Sequence, residues 1–282
     1  MLNIVLMLAH VKRTDNNRPS PPPFAIINHV ICDRSASMES FRGVQIEMNK
    51  KLIDDAKQQA INSNIKTYLT FTTFDTYTQT YLSNIDINTK SLPNKNELKT
   101  MLKPRGSTRF IDTVVEALDK IEEQKQSILN DLPRSVRELN PNIVTILNCT
   151  TDGIDNCSIN TQKYLKKRMN HYREQNGQAI LLTANIDAQT IGKLYGFSEE
   201  TSLTMNNSEP AAIKYAYDCI IQTSRQVSSG GSATPYTPEQ RSYSQATPDT
   251  YNSMQCLSPE SSPDSDYLLP APLSLNNINY II

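Results

Sequence analysis

Apolar residues in this chain alternate between short continuous runs and helically spaced stripes. Phe24–Cys32 is a short, mostly apolar run, the pattern of a strand covered on both faces. From Glu39 to Ile61 the spacing changes. Val44, Met48 and Leu52, with Ile46, Ile53, Ala56 and Ala60, recur at helical intervals. Ile65–Phe74 is rich in β-branched and aromatic residues and predicts a strand, with Thr78–Ile87 paired to it as a hairpin. Ile111, Val114, Val115, Leu118 and Ile121 form one stripe of an amphipathic helix over Phe110–Gln124. Ile143–Leu147 is a second buried-strand candidate, followed by a helix near Asn160–Gln175. Ala179–Thr183 and Thr201–Met205 predict later strands, and Pro210–Gln226 a closing helix with proline in its first turn. Repeated strand-then-helix order predicts an α/β fold, a doubly wound and mostly parallel central sheet of Rossmann-like kind with helices on both faces.

Composition sets the limits of this unit. Of 16 prolines, four lie between Pro19 and Pro23 and seven between Pro235 and Pro272, leaving five across the periodic region. Residues 1–23 therefore predict a flexible leader and 24–227 one folded domain. Residues 228–282, rich in Ser, Thr, Pro, Tyr and Gln with Arg241 as the one base, predict a disordered tail. A formal net charge of -1 gives no electrostatic reason to expect nucleic acid or an anionic membrane as partner. Met1–Ala9 is apolar but lacks a basic leading region, a small-residue cleavage site and the length to span a bilayer, so the expectation is a soluble, cytoplasmic chain. The five cysteines follow no disulfide or zinc spacing, and Cys32 and Cys149 sit inside apolar runs, which fits a reducing compartment.

Three short polar pieces each fall at a strand-to-loop junction: Asp33-Arg-Ser35-Ala-Ser37, Gly106-Ser107-Thr108 and Thr151-Asp152-Gly153. All their donors are oxygens, the chemistry that selects Mg²⁺, Mn²⁺ or Ca²⁺ over zinc or copper. In open α/β sheets ligands bind beyond the carboxyl ends of the strands where strand order reverses. If the strand at Phe24 and that at Ile143 are neighbours, Asp33 and Asp152 face one another across that crevice.

In this order the three pieces resemble the metal-ion-dependent adhesion site of von Willebrand factor type A domains, and the resemblance covers the whole folded unit. It implies an antiparallel edge strand near Thr78–Ile87. It also implies that Ser35, Ser37 and Thr108 bind Mg²⁺ (or Mn²⁺ or Ca²⁺) directly, while Asp33 and Asp152 hold its waters and orient the hydroxyls. The remaining position is then open to an Asp or Glu carboxylate of a protein partner. Ala36 and Ser107 stand where the family commonly has glycine, but both are small. Ala184-Asn-Ile-Asp187-Ala resembles a segment of microbial and intracellular members.

Other chemistries find less support. A haloacid-dehalogenase-like phosphotransferase would need Asp at position 35, where Ser35 stands. No phosphate-binding glycine loop occurs, and Ser35 and Ser37 lack a nearby general base. His29 lies inside the first strand, His10 in the leader and His171 on a polar helix. Asp75, Asp112 and Asp155 read as turn-forming, capping or charge-tuning residues. The expectation is therefore a non-enzymatic interaction module. The alternatives are an accessory subunit of a chelatase-like or ubiquitin-related assembly, and a secreted adhesin. In the tail, Thr237-Pro and similar pairs fit proline-directed phosphorylation, and Asp264-Ser-Asp266-Tyr-Leu-Leu has the form of a short docking motif.

Overall fold

A computed structural model of the protein describes residues 22–247. Six strands form one sheet: β1 (Ala25–Asp33), β2 (Lys66–Phe74), β3 (Thr78–Asp86), β4 (Ile143–Thr151), β5 (Gln178–Ala184) and β6 (Ser202–Met205). Their order is β3-β2-β1-β4-β5-β6, parallel throughout except for β3, which pairs antiparallel with β2 at one edge. All nine residues of β1 are buried, as its apolar run requires at the middle of a sheet covered on both faces.

Two apolar layers sandwich this sheet. On one face pack α1 (Arg42–Ser63), α2 (Lys95–Met101) and α6 (Pro210–Ser228), with Met48, Leu52, Ile53, Leu98, Ile213 and Ile220 buried against Val30, Cys32 and Leu69. On the other pack α3 (Phe110–Asn130), α4 (Gln162–Glu174) and α5 (Ala188–Tyr195). The stripe Ile111, Val114, Val115, Leu118 and Ile121 is buried there with Leu165, Met169 and Tyr195. The expected doubly wound architecture, its antiparallel edge included, is the observed one. No helix among the described residues is long and apolar enough to cross a membrane.

Local chemistry fixes the element ends. A 3-10 turn over Ala36–Phe41 precedes α1, and Asn64, at φ 54°, ends that helix in the left-handed conformation that Asn tolerates. Helix α5 starts at Asp187, whose side chain accepts from the Gln189 and Thr190 amides. It stops at Gly196 (φ 90°), where the Gly196 and Phe197 amides both donate to the Gly192 carbonyl. Asp187 is thus a helix cap.

The domain boundary expected at residue 227 needs correcting. Residues 228–247 are folded: a further helix, here α7 (Pro238–Ser244), packs along the free side of β6. Tyr236 is only 5% exposed in the core, its amide donates to the Glu200 carbonyl, and the Arg241 guanidinium donates to the Ser202 carbonyl. Ser244 Oγ donates to the Thr204 carbonyl at 2.7 Å. An edge strand leaves carbonyls without partners, and this segment supplies them. The segment's average composition is polar, yet Tyr236, Arg241 and Ser244 suffice to dock it. The expected leader and the rest of the expected tail lie outside the described residues.

Candidate metal centre

β1 and β4 are adjacent, and β2 follows β1 on the opposite side, so the sheet's order reverses between β1 and β4. Asp33 ends β1, and Thr151 ends β4. Loops beyond these two strands and the loop before α3 meet at that point, and each pair of loops touches. The Ala36 amide donates to the Gly106 carbonyl at 3.3 Å, and the Arg105 amide to the Arg34 carbonyl at 2.9 Å. Ser37 Oγ donates to Asp152 Oδ1 at 2.8 Å. The Asn156 amide donates to the Thr108 carbonyl at 3.0 Å, and the Asn156 side chain accepts from the Thr108 amide at 2.9 Å.

Asp33, Ser35, Ser37 and Asp152 are therefore linked in one chain of hydrogen bonds, and Thr108 lies on the third of the loops that meet there. Asp33 is fully buried. Its Oδ1 accepts from the Ser35 amide at 2.7 Å and its Oδ2 from Thr151 Oγ1 at 2.6 Å. Gln45, buried on α1, donates to the Asp33 backbone carbonyl at 2.9 Å and ties the strand end to the helix. Ser35 Oγ and Ser37 Oγ lie 3.0 Å apart. Thr108 is buried, and its hydroxyl backs onto Gly153: a Cβ at that glycine would stand 3.1 Å from Thr108 Oγ1. Gly106 is required for a different reason. It has φ 69°, and a Cβ there would meet Thr76 Oγ1 at 2.5 Å.

Electrostatics distinguish the site from an ordinary polar loop. Burial pushes the Asp33 carboxyl up to about 7, against the hydrogen bonds from Thr151 and Ser35 that favour its charge. Burial raises Asp152 as well, and the Asp152 charge adds to the rise at Asp33. Among the described residues neither is ion-paired with a Lys, Arg or His. Two desolvated carboxylates and three hydroxyls converging without a cation form a donor set that suits a hard divalent ion. Among the described residues no group of three or more His, Cys, Asp or Glu side chains could hold a metal. Hydroxyl oxygens must then complete any coordination here, which is the composition of this crevice.

A second feature was not legible from sequence. Arg34, between Asp33 and Ser35, is 2% exposed. Its Nε donates to Asp75 Oδ2 at 2.8 Å, one Nη to Tyr81 and the Met101 carbonyl, the other to Gln79 at 2.9 Å. Arg105 Nε donates to the same Asp75 oxygen at 2.7 Å. Burial works to raise Asp75, but the Arg105 hydrogen bond, the Tyr77 amide and the two guanidinium charges outweigh it and hold the carboxyl below its ordinary range. Asp75 turns the β2–β3 hairpin, as its local sequence suggests, and in addition locks two of the three site loops to it. Asp112 and Asp155 lie outside the crevice. Asp112 accepts from the Ile159 and Asn160 amides, and Asp155 accepts from the Ile111 amide at the start of α3.

No family model matches the sequence, and no curated protein matches it. Its fold is similar to that of several solved structures. One is a von Willebrand factor type A protein from Catenulispora acidiphila, at 14% identity and TM-score 0.48, covering 71% of this chain and 43% of that one. Another is proximal thread matrix protein 1 of the mussel byssus, in a form described as having a zinc-occupied adhesion-site motif, at 14% identity and TM-score 0.47, covering 72% of this chain and 46% of that one. A third is the von Willebrand factor domain of the type V pili tip protein Mfa5 from Porphyromonas gingivalis, at 8% identity and TM-score 0.49, covering 71% of this chain and 95% of that one. This chain spans less than half the length of the first two. At such identities the likeness is one of fold alone.

Proposed function

We propose that the crevice between β1 and β4 binds one divalent cation, Mg²⁺ or its oxygen-loving equivalents Mn²⁺ and Ca²⁺, and uses it to capture a carboxylate of a protein partner. The observation that carries this reading is the pair of carboxylates, buried Asp33 and half-buried Asp152, with no Lys, Arg or His partner among the described residues, linked through the Ser35 amide and the Ser35 and Ser37 hydroxyls. Ser35, Ser37 and Thr108 would be the direct ligands, and Asp33 and Asp152 would orient them and hold the ion's waters. Such an ion supplies Lewis acidity. Because its direct protein ligands are neutral hydroxyls, little of its charge is cancelled, and an incoming Asp or Glu is bound strongly. Ser37 is exposed and Asp152 half-buried, so the crevice opens toward solvent on that side.

The role is recognition rather than turnover. In this reading the hydroxyls and carboxylates, already engaged with one another, serve as ligands and their supports. Calorimetric titration of an Asp-containing peptide into the full chain with Mg²⁺ tests the reading. Saturable binding that EDTA abolishes and Thr108→Ala weakens is the expected result. Peptide binding of equal strength with and without the ion would overturn it.

A further inference from the structure

Three large apolar side chains are exposed on the loops at the crevice's end of the sheet. Tyr77, Ile154 and Ile159 are 71%, 55% and 88% exposed. Tyr77 caps the turn beyond β2, and Ile154 and Ile159 lie in the loop beyond β4, so all three stand at the carboxyl end of the sheet with the candidate cation site. Arg105, its side chain 59% exposed, adds a fixed positive charge on the loop that carries Thr108. A ligand suited to this surface joins an acidic residue to bulky apolar ones.

The chain itself contains such a segment, and it starts from the right end of the molecule. The Asn206 amide donates to the Ser244 carbonyl at 2.9 Å, and its side chain donates to the Ala246 carbonyl at 3.1 Å. Asn206 directly follows β6, so the described chain leaves the domain at the carboxyl edge of the sheet. From there to the β1–β4 crevice is about three strand spacings, roughly 14 Å. Asp264-Ser-Asp266-Tyr-Leu-Leu269 begins some eighteen residues further along. About eighteen residues span at most ~60 Å, ample for that distance. Charge is complementary too. After residue 247 the sequence holds Asp249, Glu260, Asp264 and Asp266 and no Lys, Arg or His, while all 28 Lys and Arg lie before it.

We propose that residues 264–269 occupy this chain's own site, an Asp carboxylate completing the cation's coordination and Tyr267, Leu268 and Leu269 covering Tyr77, Ile154 and Ile159. The inference rests on the cation site proposed above. A tethered ligand acts at an effective concentration in the millimolar range, so an outside carboxylate must outcompete it. The tail is then an intramolecular plug, and whatever displaces it switches the site on.

Mn²⁺, a paramagnetic ion, tests this on the full chain by NMR. Addition of Mn²⁺ is expected to erase the amide signals of residues 264–269 along with those around Ser37 and Gly153, independently of protein concentration. Replacing Asp264 and Asp266 together by Asn is expected to restore the tail signals and leave the loss around Ser37 intact. Loss around Ser37 in the parent with the 264–269 signals unchanged would overturn the plug and leave the cation site standing. Loss that grows with protein concentration would replace the plug with contact between copies. No loss at either place would remove the cation reading itself, and the plug with it.

Discussion

Ser37 Oγ donates a 2.8 Å hydrogen bond to Asp152 Oδ1 across 115 positions of chain, joining the loop after β1 to the loop after β4 at the one place where the strand order reverses. Ser35 Oγ continues the line at 3.0 Å, and Asp33 anchors it from below through the Ser35 amide. Hydroxyls in ordinary loops bond to nearby backbone. Here they bridge two carboxylates, and the following expectations derive from that arrangement.

Gly153 provides room for Thr108. A methyl at Gly153 would stand 3.1 Å from Thr108 Oγ1, closer than most real contacts, and would push that hydroxyl out of line. Gly153→Ala is expected to weaken Mg²⁺ binding by about 10–100-fold, the usual cost of disturbing a ligand's support, with little change in folding. Calorimetry beside a thermal melt separates the two effects. Unchanged affinity would mean that Thr108 is not a ligand.

Without a divalent ion, Asp33 should make stability depend on pH in an unusual direction. Its folded pKa, about 7, lies above its ordinary value of 3.8, so the folded state holds the proton more tightly. The resulting stability is fully present below pH ~4 and is lost as pH rises to about 7, at up to about 1.4 kcal/mol per pH step. His29, lowered to about 3 by burial and by the Lys120 charge, has the opposite slope below its ordinary 6.5, so the comparison must be with Asp33→Asn. Urea unfolding in EDTA from pH 4 to 8 should show the parent losing stability relative to that variant, and Mg²⁺ should restore it at pH 8. Parallel curves would contradict the assignment.

The Asp75 lock is expected to be structural. Asp75→Ala leaves the Arg34 guanidinium buried without its carboxylate, a change that costs about 3–5 kcal/mol in comparable buried pairs. Denaturant unfolding measures it. A loss below about 1 kcal/mol would mean that Tyr81, Gln79 and the Met101 carbonyl satisfy Arg34 by themselves.

Tyr236 anchors the segment that covers β6. Tyr236→Ala is expected to cost about 3–5 kcal/mol as a buried aromatic truncation, and removing residues 228–282 should cost at least as much. Thermal melts of both variants check this. A truncated chain as stable as the parent would restore the domain boundary at residue 227.

These cases show what a single sequence conveys. The strands, the helical stripes and the polar pieces at the strand ends were legible because each rests on local spacing. The lock between Arg34 and Asp75 was not, because an Arg in a polar loop reads as solvated, and its partner lies 41 positions away. Helix α7 was missed although its start is written in the chain: Thr237-Pro-Glu-Gln240 is a capping box with proline at the first helical position, and Thr237 and Gln240 make both of its bonds. The same Thr-Pro pair also fits a phosphorylation motif, and polar composition around it masked the structural reading. Helix α2 was overlooked in the same way, although Asn94 and Glu97 form its capping box.

The central claim is that Asp33 and Asp152 organise a site for one divalent cation. Calorimetric titration of Mg²⁺ and Mn²⁺ into the full chain, beside Asp33→Ala and Asp152→Ala checked for folding by circular dichroism, tests it most directly. The account predicts saturable binding of one ion in the parent and its loss in both folded variants. Binding that survives in both variants, or none in the parent even with added acetate, would contradict it.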